Sequence, residues 1–129
     1  MKTLMLALLF MGLNPKADNL VTDNCALLKE IFLNKEVAEF LHTNSEGRDI
    51  LYVVKNNLCN SDIDISKSLK VVSVEQKDIS NKKNYLKIMD VETTKSGMTI
   101  IMEYPIEGAE FTITLDSNNK IINVGIIEF

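Results

Sequence analysis

Apolar residues recur at spacings of three and four near the start of the chain, the pattern of one buried helix face. These positions are Leu28, Ile31, Phe32, Val37, Phe40 and Leu41. Asn34 interrupts the pattern, and turn-forming residues at 43–47 end it. The sequence therefore predicts two short helices, at residues 23–33 and 35–42.

Farther along the chain, apolar and polar residues alternate, which is the period of a β-strand. Segments rich in Asn, Ser, Gly and Pro separate the alternating runs. The predicted strands lie at residues 50–54, 69–79, 85–93, 98–104, 111–115 and 121–129. Short connections favour antiparallel neighbours. We therefore predict an α+β fold, with an N-terminal helical segment packed on a curved antiparallel sheet of about five strands.

Three local features are predicted within this sheet. The apolar residues Leu86 and Ile88 are one position out of step with those that follow, and a β-bulge would correct the phase. Loop 116–120 is expected to place Asn118 or Asn119 in the left-handed conformation. Strand 121–129 is apolar on nearly both faces, which is typical of a central strand.

The predicted fold has a helical start followed by a sheet that ends in the hairpin FTITLDSNNKIINVGIIEF. This order of elements resembles the cystatin-like and nuclear-transport-factor-like group of small exported bacterial α+β proteins. The resemblance lies in the order of helices and strands, and it covers most of the chain. No family motif matches; the Gln-x-Val-x-Gly loop of cystatin protease inhibitors is missing, since Gln76 is followed by Lys77 and Asp78. Folds of this group carry many functions, so the resemblance implies an architecture and no activity.

Residues 1–17 are predicted to be a signal peptide. Lys2 gives a positive start, and residues 3–13 form an uncharged, mostly apolar run of the length that a signal-peptide core needs. A membrane span takes about 20 apolar residues, and this run ends well short of that. Cleavage after Ala17 would leave residues 18–129 as a single α+β domain, periplasmic or secreted. A buried N-terminal helix is the alternative.

Cys25 and Cys59 are the only cysteines of the chain. An even cysteine count in a small exported domain is typical of a disulfide. A tetrahedral metal site would need more ligands than the chain supplies, because His42 is its only histidine. A redox pair would need two closely spaced cysteines. The sequence predicts an intramolecular disulfide between Cys25 and Cys59, and neither a metal nor a cofactor.

The charge balance favours a cationic protein partner. The chain has 18 acidic and 14 basic residues, a net charge of −4 that becomes about −6 without Lys2 and Lys16. Its basic residues are scattered, which argues against nucleic-acid binding. An acidic exported domain is expected to attract a cationic protein, and no membrane contact is expected after signal removal. Spare apolar residues such as Ile101, Ile121 and Ile127 further predict a sheet-to-sheet homodimer.

Several catalytic and ion-binding motifs are incomplete. The segment DIDIS at residues 62–66 resembles the start of a calcium loop, but its later ligand positions do not fit. No two glycines are close enough for a phosphate loop. His42 would be the base of any nucleophilic triad, although its position is that of a helix-end residue interacting with free carbonyls.

Paired carboxylates are the remaining catalytic option. Asp90 with Glu92, or Glu103 with Glu110, supply the residue types of acid–base catalysis. Acids that alternate along strands more often mark the solvated face.

Five residues are candidates for lining a ligand cavity in the cone of the sheet, with plain core as the alternative. They are Met89, Met98, Met102, Tyr104 and Phe111. Because the usual catalytic motifs are missing, the sequence favours an exported, non-catalytic binding or inhibitor-type module. The alternative is a small-ligand carrier or an enzyme that uses this cavity.

Overall fold

The computed structural model describes residues 24–129, so the predicted signal peptide lies outside the described residues. Its helices are α1 (Cys25–Leu33) and α2 (Lys35–Leu41), and its strands are β1 (Ile50–Val54), β2 (Ile63–Ser66), β3 (Leu69–Val74), β4 (Tyr85–Thr94), β5 (Gly97–Tyr104), β6 (Ala109–Asp116) and β7 (Ile121–Glu128). Short 3₁₀ helices, η1 (Gln76–Asn81) and η2 (Pro105–Glu107), follow β3 and β5.

Asn34 divides the helical region, as predicted. Its side-chain oxygen accepts hydrogen bonds from the backbone N–H groups of Glu36 and Val37, at 3.0 and 3.2 Å. These bonds satisfy donors that have no partner within the first turn of α2. The chain can therefore stop one helix and start the next within a single residue.

The strands form one curled sheet in the order β2-β3-β1-β4-β5-β6-β7. Strand β1 runs parallel to both of its neighbours, β3 and β4. The other pairings are antiparallel. The predicted α+β fold with about five antiparallel strands is therefore wrong: the protein is mostly β, a seven-stranded mixed sheet curled into a half-barrel with a few short helices.

The missed strand β2 explains much of this difference. It has four residues, of which Ile65 is buried and Ile63 partly buried. So short a strand cannot be distinguished from a loop by its periodicity. Strand β2 lies at the sheet edge and pairs antiparallel with β3. The chain therefore reverses direction twice after β1, and β3 runs beside β1 in the same direction.

The hydrophobic core lies between the helices and one face of the sheet. Helix α1 contributes Leu27, Leu28, Ile31 and Phe32, and the sheet contributes residues such as Leu51, Val71, Leu86, Ile100, Met102, Phe111 and Ile113. Burying one such side chain contributes about 1.5–3 kcal/mol relative to leaving it exposed. Packing against this face, rather than intrinsic helix propensity, holds the short helices in place.

Two of the local predictions are confirmed. The register between β4 and β5 shifts between Ile88 and Asp90, so Met89 is the extra residue of a β-bulge. In the hairpin between β6 and β7, Asn119 has a φ of 62°. The Asp116 carboxylate accepts from the backbone N–H groups of Asn118 and Lys120, which fixes the loop.

Strand β7 is an edge strand, and its predicted central position is wrong. Within the described residues it pairs with β6 alone. Ile122 and Ile127 are 62% and 58% exposed. The apolar pattern on both faces of β7 therefore comes from exposed isoleucines and not from burial on two sides.

The predicted disulfide is confirmed. It joins Cys25, the first residue of α1, to Cys59, which lies between β1 and β2. A backbone hydrogen bond of 2.8 Å from Asn24 to Leu58 lies beside it. The bridge therefore holds the start of α1 against the segment that leaves β1.

Candidate binding face

The side chains of β4–β7 that alternate with the core positions form the opposite face of the sheet, here called the acidic sheet face. The strand register arranges them in three rows. The rows are Lys87, Glu103, Glu110 and Ile127; then Asp90, Ile101, Thr112 and Gly125; then Glu92, Thr99, Thr114 and Asn123. Given strand and residue spacings in sheets, this grid spans roughly 14 Å in each direction.

Four carboxylates lie in these rows. Asp90 and Glu92 follow the bulge in β4, and Glu103 lies directly opposite Glu110 on the neighbouring strand. Like charges opposite one another destabilise an antiparallel pair by a few tenths to about 1 kcal/mol. The isolated fold gains nothing from this arrangement.

The negative charge of the face is not neutralised by ion pairs. Between residues 24 and 129, ion pairs within 4.0 Å link Glu107 to Arg48 and Lys55 to Glu75, and the His42 imidazole lies 3.7 Å from the Glu107 carboxylate. None of them includes a carboxylate of the acidic sheet face. Lys87, opposite Glu103, is the cation placed within the grid.

Apolar and hydroxyl side chains separate the acids. Ile127 is 58% exposed and Ile101 is partly buried. Thr99 and Thr114 are directly paired across two strands, as are Ile101 and Thr112. Exposed apolar groups bordered by charges are a frequent composition of protein-binding surfaces.

A second polar cluster lies at the end of the sheet near α2. Arg48 donates to the Glu107 carboxylate at 2.7 Å, and its other terminal nitrogen lies 3.4 Å from both the Tyr104 hydroxyl and the Leu41 carbonyl oxygen. The Tyr104 hydroxyl donates to the side-chain oxygen of Asn84. The Asn84 amide donates to the carbonyl oxygen of Ile50 at 2.8 Å. This cluster links the helical region to β1, β4 and β5.

The buried hydroxyl of Tyr104 has a perturbed pKa. Burial raises the pKa of Tyr104, and the nearby Arg48 guanidinium only partly offsets this. The neutral phenol is therefore the form held in the folded protein. In Arg48, burial opposes the charged form, but the hydrogen bond to Glu107 and the charges nearby raise the pKa on balance.

We expect Tyr104→Phe to lower the free energy of unfolding by about 1–3 kcal/mol, because Asn84 loses its buried donor. The raised pKa adds a pH dependence: Tyr104 contributes stability that is complete below pH 10 and is lost as the pH rises through its folded pKa. Urea denaturation between pH 7 and 11 should therefore show a weaker alkaline decline for Tyr104→Phe than for the unmodified protein.

Tyr85→Phe is the matched control, since the described residues give the Tyr85 hydroxyl no hydrogen bond. Tyr85→Phe should leave the free energy of unfolding at neutral pH unchanged. Identical curves for Tyr104→Phe and Tyr85→Phe would contradict a structural role for the Tyr104 hydroxyl.

His42 ends α2, as predicted, with a φ of 52°. Its imidazole lies 3.7 Å from the Glu107 carboxylate rather than on a backbone carbonyl. That carboxylate is already bound by Arg48 at 2.7 Å. Among the described residues, no side-chain hydroxyl makes a hydrogen bond with His42, so its use as the base of a nucleophilic triad stays a prediction.

The five predicted lining residues do not surround one cavity. Met102, Tyr104 and Phe111 are fully buried in the core. Met98 lines an open groove of about 390 Å³ with Val91 and Leu58. Met89 is 54% exposed, in the bulge, and borders a different groove. Their role as ligand contacts stays a prediction.

Sequence reasoning missed the polar cluster around Arg48. Arg48 follows a turn-forming segment, and Asn84 and Glu107 lie in separate connections. No local pattern marks them as neighbours. The opposition of Glu103 and Glu110 was accessible from the sequence, since both are found by counting outward from the loop at residues 105–108.

Comparison with protein-family models, with curated proteins and with solved structures gives no match. The resemblance to cystatin-like and nuclear-transport-factor-like proteins therefore stays a prediction. Across residues 24–129 no helix has the length and apolar character that a membrane span requires.

Proposed function

We propose that the protein is an exported, non-catalytic binding module that holds a cationic protein partner on the acidic sheet face. The observation that carries this proposal is the excess of negative charge in the rows of that face, where four carboxylates accompany one lysine, Lys87. Its four carboxylates have no ion-pair partner in the described residues, and two of them oppose one another. A partner that presents Lys or Arg would relieve this repulsion.

The shape of the face supports a protein partner. The rows lie on four neighbouring strands and form an extended surface, whereas small ligands favour concave sites. Ile101 and Ile127 supply apolar contact area among the charges. A protein–protein contact combines such apolar anchors with a polar rim.

The disulfide supports export. Disulfides persist in oxidising compartments such as the periplasm and the extracellular medium, and the bridge between Cys25 and Cys59 leaves no free cysteine among the described residues. The small-ligand carrier or enzyme receives less support, because the five predicted lining residues are dispersed between the core and two separate grooves.

The test compares two variants of equal net charge. The first removes the acidic charges of the face with Asp90→Asn, Glu92→Gln, Glu103→Gln and Glu110→Gln. The control removes four exposed acids elsewhere with Glu30→Gln, Glu39→Gln, Glu46→Gln and Asp64→Asn. Each immobilised protein is used to capture partners from cell extract and culture medium, with identification by mass spectrometry.

We expect a basic protein to be recovered by the unmodified protein and by the control, and to be lost with the acidic-face variant. Raising the salt concentration should also reduce its recovery, because screening weakens contacts between charged surfaces. Capture that is unaffected by the acidic-face substitutions would overturn the proposed face. Equal loss of the partner with both variants would show that binding depends on the net charge of the protein and not on the acidic sheet face.

A further inference from the structure

The bulge in β4 exposes a methionine beside the acidic sheet face. Met89 and Asp90 together oppose Ile101 of β5, because a bulge sets two residues of one strand against one of the other. The residues on either side of this pair, Ile88 and Val91, pack against the core. Met89 is instead 54% exposed. Its thioether side chain therefore lies at the surface, next to a carboxylate and an isoleucine of the face.

The three methionines of residues 24–129 differ in their exposure. Met98 is partly buried and packs against the core. Met102 is fully buried. Oxidation of a methionine requires that the reagent reach its sulfur, so exposure sets the order of reaction. Met89 is therefore the first of the three that a dissolved oxidant meets.

An open groove gives small reagents access to Met89. It has a volume of about 370 Å³, and Lys55, Asn56 and Asn57 line it together with Met89 and its strand neighbours. Hydrogen peroxide is little larger than water and fits such a groove. The exposed Asn57 side chain carries an amide donor, which suits the acceptor oxygen of a sulfoxide. The groove thus admits the reagent and offers a polar neighbour to the product.

We propose that Met89 is an oxidation site of the folded protein, at which hydrogen peroxide makes the acidic sheet face more polar. The sulfur lone pair attacks one peroxide oxygen, so that an S–O bond forms and the O–O bond breaks. The proton of the attacked oxygen passes to the departing hydroxide, which leaves as water. The sulfur is oxidised by two electrons to the sulfoxide, and the peroxide is reduced. A flexible apolar side chain thereby becomes a polar one.

The fold tolerates this change at Met89 and not at Met102. A sulfoxide at Met102 would be a polar group buried in the core without a hydrogen-bond partner. At Met89 the sulfoxide oxygen stays in solvent. The consequence for binding rests on the proposed function: a cationic partner on the face would lose an apolar contact beside Ile101, and methionine is enriched in protein-binding surfaces.

Timed treatment of the native protein with hydrogen peroxide, followed by peptide mapping in a mass spectrometer, tests the proposal. We expect sulfoxide to form on the order of ten times faster at Met89 than at Met102, with Met98 between them. In urea-unfolded protein the three rates should converge. Protein oxidised at Met89 alone should keep the urea midpoint of untreated protein. A native rate at Met98 or Met102 that equals the rate at Met89, or a lowered midpoint, would overturn the proposal.

Met89→Leu removes the thioether and keeps an apolar side chain of similar size. Hydrophobic-interaction chromatography reports exposed apolar surface, so peroxide should make the unmodified protein elute earlier. Met89→Leu should reduce this shift. Met98→Leu is the matched control and should show the same shift as the unmodified protein. An equal shift in the two variants would overturn the assignment to Met89.

Capture of the partner by peroxide-treated and untreated protein tests the effect on binding. We expect the treated protein to recover several-fold less of the basic protein, and Met89→Leu to lose this sensitivity to peroxide. Recovery that peroxide does not change, or sensitivity that Met89→Leu retains, would overturn the effect on the face and leave the proposed function in place. If untreated protein recovers no basic protein, the proposed function fails instead, and the peptide map still decides whether Met89 is the oxidation site.

Discussion

Replacing Cys25 and Cys59 together with alanine is expected to lower the free energy of unfolding by about 3–4 kcal/mol. The bridge closes a loop between residues 34 positions apart, and in the chain-entropy account a loop of this length restricts the unfolded chain by that amount. Small domains have about 5–15 kcal/mol of stability in all. The bridge thus supplies a large share of the total.

Guanidinium denaturation of the double-alanine variant and of the unmodified protein, each with and without reductant, measures this effect. Reductant should destabilise the unmodified protein and leave the variant unchanged. Because the bridge holds the start of α1, loss of helical signal should accompany the loss of stability. If the free energy of unfolding of the variant lies within about 1 kcal/mol of that of the oxidised protein, packing alone anchors α1.

Gly97→Ala is expected to destabilise the fold by about 2–4 kcal/mol, through both backbone strain and overpacking. Gly97 begins β5 with a φ of 150°, a conformation that residues with a side chain rarely adopt. A Cβ atom added there would overlap the backbone carbonyl oxygen of Leu115 on β6. Since the atoms that this Cβ would meet belong to the backbone, no side-chain rotation relieves the overlap.

Gly125→Ala provides the comparison within the same sheet. A Cβ atom at Gly125 would make ordinary contacts of 3.9 Å with Thr112. We expect the free energy of unfolding of Gly125→Ala to stay within about 1 kcal/mol of that of the unmodified protein. Alanine restricts the unfolded chain more than glycine does, which contributes a small gain in stability. Equal denaturation midpoints for the two alanine variants would contradict the close approach at Gly97.

Local features of this fold are predictable from the sequence because their causes are local. The phase error after Ile88 requires a bulge, and an amide residue in the tight loop before β7 favours the left-handed conformation that Asn119 adopts. Strand β1 has the predicted bounds, Ile50–Val54. Its parallel pairing depends on which strands lie beside it, and nothing within those five residues specifies that.

The candidate face was partly predictable. Alternation along β4 and β5 places Asp90 and Glu103 on the solvated side of the sheet, opposite the core. What the sequence does not show is that β7 is an edge strand. Exposed isoleucines and doubly buried isoleucines produce the same apolar pattern, so only the sheet order separates a central strand from an edge that is open to pairing.

The position of β1 between two parallel neighbours has a consequence for how the chain folds. Strands β4–β7 are joined by short connections, and β2 with β3 forms a hairpin, so both units consist of local contacts. Local contacts form early, since little loop-closure entropy opposes them. Strand β1 must join these units through partners that are distant in sequence, and we expect its insertion to be the slow, rate-limiting step of folding.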